Sequence, residues 1–131
     1  MSKKVITTAA LLGMIAIILG AFGAHALKKV LSTDELVTFE TGVRYQMYHA
    51  LFLLFIGLTT SLSEKSQKII YYLTLSGVLL FSGSIYFLAT NSLTSFDFKK
   101  IGFITPIGGV LLISAWVVLL FDFLKNNKNK I

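Results

Sequence analysis

The chain has no cysteine, and that absence removes disulfides, thiolate metal sites and cysteine nucleophiles together. It has one proline, Pro106, so long helices can run without internal breaks. Acids are scarce: six Asp and Glu in 131 residues, no two of them in one apolar run. Acid–base catalysis by a carboxylate pair inside such a run therefore has no candidate. Charge of either sign is low, 14% of residues against roughly 25% in an ordinary soluble domain. What stands in its place is a 55% hydrophobic composition and a mean hydropathy of +0.79. A chain this short has no interior that could hide so much apolar surface from water, so lipid is the expected solvent. One domain is expected, covering residues 1–131.

The net charge is +6. In a soluble protein that would raise nucleic acid as a partner. Here the lysines flank apolar runs, as in Lys3-Lys4, Lys28-Lys29, Lys65 with Lys68, and Lys99-Lys100. That placement serves anionic headgroups and topology, and it leaves no coherent basic face for nucleic acid. Membrane lipids are the expected partners.

Four apolar segments are candidate membrane spans: Val5–Ala26, about Tyr45–Leu62, Ile69–Thr90 and about Ile104–Leu124. Each is close to the ~20 residues a helix needs to cross ~30 Å of hydrocarbon. The runs do not alternate, which excludes barrel strands. The fold class is therefore all-α, a four-span transmembrane bundle. Lys3-Lys4 and Ala24-His25-Ala26 imitate the ends of a signal peptide, but the apolar run between them is longer than a signal's core. It is read as a span. With the N-terminus inside, seven basic residues lie on the inner side and five on the outer, a narrow bias to N-in and C-in.

Ser32-Thr33-Asp34-Glu35 has the spacing of a capping box. Leu36, Phe39 and Val43 then recur on one helical face. This predicts an interfacial amphipathic helix over about 33–44 between the first two spans that runs on into the second, with Gly42 as a candidate bend. Glu40 and Arg44 stand at i,i+4 with the acid first, the favourable order for an ion pair.

Antiparallel threading of the spans gathers polar residues at the outer side. His25 ends span one, and Arg44, Tyr45, Gln46, Tyr48 and His49 open span two. Ser82 and Tyr86 lie in the outer half of span three, and Thr105 opens span four. An arginine and a histidine against an apolar run are costly to desolvate, so partners are expected. This threading puts the two histidines at comparable depth. Three readings compete. The cluster can be a satisfied polar seam that fixes helix register. It can bind a lipid headgroup, a quinone or another amphiphile, with Arg44 supplying charge and the tyrosines amphipathic walls. It can hold haem or a metal between His25 and His49, although two histidines with no third ligand make a poor closed metal site. No residue is expected to be catalytic, and no cofactor is expected beyond the haem alternative. Small residues in spans one and three permit close helix approach, within one chain or in a homo-oligomer. An oligomeric transporter or channel is a further alternative. Trp116, mid-span, is expected to pack in the bundle or face lipid rather than touch a ligand.

Four motifs also carry a resemblance. They are Gly20-Ala21-Phe22-Gly23-Ala24-His25-Ala26-Leu27, Thr41-Gly42-Val43-Arg44-Tyr45-Gln46-Met47-Tyr48-His49-Ala50-Leu51, Phe81-Ser82-Gly83-Ser84-Ile85-Tyr86 and Thr105-Pro106-Ile107-Gly108-Gly109. In this order, and nearly end to end, the chain resembles the bacterial membrane proteins grouped as domain of unknown function 423, related to a small eukaryotic transmembrane protein. The resemblance implies a four-helix protein of the bacterial plasma membrane. It implies no activity.

Overall fold

A computed structural model describes residues 1–127. The basic tail at Lys128 and Lys130, counted above for orientation, lies outside the described residues. Four long helices follow one another: α1 (Ser2–His25), α2 (Thr33–Leu58), α3 (Glu64–Ala89) and α4 (Ile104–Asn127). Short 3-10 turns at Leu27–Lys29, Asn91–Leu93 and Phe98–Ile101 complete the connections, and no strand occurs among the described residues. By length and composition, the segments containing α1, α3 and α4 are apolar enough to cross a membrane. α2 falls outside that class because its first half is rich in polar residues, from Thr33 to His49.

The segment expected to form an amphipathic helix running on into span two is the first half of α2. The helix runs unbroken from Thr33 through Gly42 to Leu58, four residues short of the expected Leu62. Its start is fixed as the sequence predicts. The Ser32 hydroxyl accepts from the Glu35 amide at 3.1 Å, and the Ser32 amide donates to Glu35 Oε1 at 2.8 Å. The Ser32 backbone bond, with the hydroxyls of Ser92 and Ser32, holds the Glu35 carboxyl below the usual range. At the other end Thr59 turns extended, and Ser63 caps α3 by accepting from the Ser66 amide at 3.2 Å.

Glycines set the register. A Cβ on Gly23 would stand 3.1 Å from Phe39, on Gly20 3.5 Å from Val43, and on Gly13 3.7 Å from Ala50. Gly57 lies in the same way against Ile6. α1 and α2 thus run antiparallel along their whole length, the 33–44 segment included. Gly42 is no hinge. It lets Ile85 and Tyr86 of α3 approach its backbone, and its carbonyl accepts from Ser82 Oγ at 2.8 Å. Between α3 and α4 the approach is tighter, with Gly108 against the Phe81 backbone and Gly77 against Leu112.

α1 packs on α2, α2 on α3 and α3 on α4. Side chains also tie the start of α1 to the start of α3: Thr8 Oγ1 lies 2.8 Å from the Tyr71 hydroxyl, and Lys4 Nζ donates to the Tyr72 hydroxyl at 3.0 Å. The buried core runs through Val5, Leu12, Leu53, Ile56, Ile70 and Leu112, with a smaller cluster of Leu27, Leu31, Phe39 and Ala89 at the far end. Gln46, His49, Gln67, Thr74 and Ser82 are buried, whereas Ile17, Ile113 and Phe121 are each more than 60% exposed. Such an inside-out distribution suits an apolar solvent.

Candidate functional site

The polar residues that the sequence gathers at one end divide into separate groups. The first ties three helices. Gln46 Nε2 donates to the Leu12 carbonyl of α1 at 2.9 Å, and the Tyr86 hydroxyl of α3 donates to Gln46 Oε1 at 2.6 Å. Ser82 bonds the Gly42 carbonyl close by. The second joins α3 to α4, where the hydroxyls of Ser84 and Thr105 lie 2.5 Å apart. The third is His49.

His49 is buried and faces α4. Trp116 Nε1 donates to its Nε2 at 3.1 Å, and its Nδ1 lies 2.7 Å from the Tyr45 carbonyl. Indole nitrogen is a donor only, so Nε2 must accept, and Nδ1 carries the proton given to Tyr45. The ring is therefore a neutral imidazole with both nitrogens engaged. Trp116 also packs on Phe52, with ring centroids 4.1 Å apart. Mid-span Trp116 is thus the polar partner of His49, a role the sequence does not show, since the two are 67 residues apart.

The two histidines do not meet. The antiparallel register puts Ala50 against Gly13, so His49 lies level with the middle of α1, near Met14. His25 ends α1 eleven residues further on, about 16 Å along the axis, and is exposed. This corrects the expectation of comparable depth, and it separates the pair needed for a two-histidine haem. Among the described residues no group of three His, Cys, Asp or Glu could hold a metal ion. The expected Glu40–Arg44 ion pair is also absent. Arg44 instead donates to Thr41 Oγ1 at 3.2 Å, one turn nearer the start of α2, and both Arg44 and Glu40 are exposed. Arginine reaching along its helix toward the nearer end is how a guanidinium escapes an apolar surface.

Tyr45, Tyr48 and Phe81 form an aromatic row, with Tyr45 centred 5.6 Å from Tyr48 and 5.1 Å from Phe81. Behind it a groove of about 340 Å³ opens between α2, α3 and α4, lined by Tyr45, His49, Phe81, Gly109, Leu112, Ile113 and Trp116. Of the sequence candidates, this groove brings together Tyr45 and His49. Ser82, Tyr86 and Thr105 belong to helix–helix bonds, and His25 and Arg44 lie apart. Gln46 was absent from the candidates as a site residue. Its place on the spacing Phe39, Gly42, Gln46, Leu53 was the signal for its burial.

A family model described as "Protein of unknown function (DUF423)" matches residues 19–109, more than half of the chain. The chain belongs to this family. The matched stretch includes the three-helix Gln46 bonds apart from Leu12, the Ser84–Thr105 contact and four of the groove's seven lining residues, but not Leu112, Ile113 or Trp116. Similar relatives include a "UPF0382 membrane protein" of Staphylococcus epidermidis, 42% identical over 94% of this chain and 97% of its own length. One of Haemophilus influenzae with the same description is 36% identical over 96% of this chain and 98% of its own. The "UPF0382 inner membrane protein YgdD" of Escherichia coli K12 is 35% identical over 91% of this chain and 88% of its own. No solved structure matches the chain.

Proposed function

We propose that the chain is a non-enzymatic, four-span protein of the bacterial plasma membrane. In this reading the groove between α2, α3 and α4 holds one lipid or similar amphiphile. Parity supports the fourth span. Thr8–Tyr71 and Lys4–Tyr72 hold the starts of α1 and α3 at one level, and both helices have the length and apolarity of spans. The helix that joins the end of α1 to the start of α3 then has to return across the same thickness. α2 can do so because Gln46 bonds α1 and α3, and His49 bonds α4 and the Tyr45 carbonyl of its own helix. The names of the Staphylococcus and Escherichia relatives favour the same location.

The observation that carries the binding role is the groove itself. Its walls are mostly apolar, the bonded pair of His49 and Trp116 lines it, and Gly109 adds no side chain to it. A Cβ on Gly109 would meet only Phe81 ring atoms at 3.6 Å, ordinary contact, so a leucine there fills the groove without forcing the helices apart. Native mass spectrometry from mild detergent tests the reading. Wild type is expected to retain an amphiphile in this groove and Gly109→Leu one fewer per chain, at similar thermal stability. Equal retention by both, or no retained amphiphile on wild type, would sink it.

A further inference from the structure

Another cavity lies at the end where α3 starts and α4 finishes. It measures about 530 Å³. Lys65 of α3 and Lys125 of α4 stand at its rim, and Ile69, Val117 and Phe121 form its apolar wall. Ser63 Oγ donates to Asp122 Oδ2 at 2.9 Å across it and holds the two helix ends together. Asp122 is buried and bonded there, whereas both lysines are exposed.

From this we infer a binding site for one anionic phospholipid of the leaflet at this end. The phosphate sits between Lys65 and Lys125, and an acyl chain runs along Ile69, Val117 and Phe121. Charge complementarity selects the occupant. Two cations from two helices converge on one opening and outnumber the single carboxylate. The wall beneath them is apolar, so a ligand that satisfies both has an anionic head and a hydrocarbon tail. A free phosphate would use only the rim. The inference depends on the chain lying in a membrane but not on the groove beside Trp116, which is lined by different residues.

The test uses the whole protein in nanodiscs of equal phosphatidylglycerol and phosphatidylcholine, released into mild detergent for native mass spectrometry. Wild type is expected to retain phosphatidylglycerol in preference. The Lys65→Ala/Lys125→Ala variant should lose that preference by about thirtyfold, the scale of two lysines near an anionic headgroup. Lys99→Ala/Lys100→Ala, which removes two lysines from the opposite end, should keep it. Glycerophosphoglycerol, the same head without chains, should not displace the bound lipid. Unchanged preference in the Lys65/Lys125 variant would overturn the site. So would an equal loss in the Lys99/Lys100 variant, or ready displacement by the chainless head. Gly109→Leu should leave this preference alone, which separates the site from the groove.

Discussion

Replacing Gln46 with leucine removes two hydrogen bonds and leaves the Leu12 carbonyl and the Tyr86 hydroxyl without their partner in an apolar interior. Replacing Tyr86 with phenylalanine removes one of the same two. The two substitutions therefore share a bond, and their effects should not add. A double-mutant cycle on thermal unfolding in detergent is expected to give a coupling of about 0.6 to 1.7 kcal/mol, the range for interhelical bonds of this kind. Strict additivity would mean that the Tyr86–Gln46 contact contributes nothing. The sequence told that polar residues in Tyr45–His49 need partners, because their desolvation is costly wherever they sit. It could not tell which partners. Gln46 reaches a backbone carbonyl on α1, and no side-chain pattern announces a carbonyl. His49 reaches a tryptophan on α4, and that depends on how α2 and α4 sit about α3.

At the scale of the element, apolar runs located three helices to within about five residues at each end, since lipid-length segments are written continuously in the chain. α2 was harder. Its capping box was legible and is present, but its polar first half reads as surface and in fact lies along α1 through Gly20 and Gly23. Small residues matter there for what they let approach, and the same reasoning separates two glycines of the α3–α4 region. A Cβ on Gly108 would collide with the Phe81 backbone, which has no rotamer with which to yield. A Cβ on Gly83 would meet nothing within 4 Å. Gly108→Ala is expected to cost about 1 to 3 kcal/mol by forcing the helices apart. Gly83→Ala should be neutral or stabilise by up to about 1 kcal/mol through helix propensity. Apparent melting temperatures measured side by side check this, and equal shifts would show that the α3–α4 seam is not tight at Gly108.

For the whole molecule, the number of crossings and their direction are set by different forces. Parity concerns how often the chain crosses, and it rests on side-chain bonds that level α1 with α3. Orientation rests on seven basic residues against five, a margin narrow enough that a few charges decide it. One set of variants measures both. Because the chain has no cysteine, single cysteines at Val30, Thr60 and Ser95 can be read on a silent background. All three lie between helices, at exposed positions. In intact cells a membrane-impermeant thiol reagent is expected to label Val30→Cys and Ser95→Cys, and to label Thr60→Cys only after lysis. Labelling of Thr60→Cys alone would keep four spans and reverse the orientation. Equal labelling of Val30→Cys and Thr60→Cys would mean that α2 does not cross. The polar bonds of Gln46 and His49 would then have to be explained without a bilayer around them.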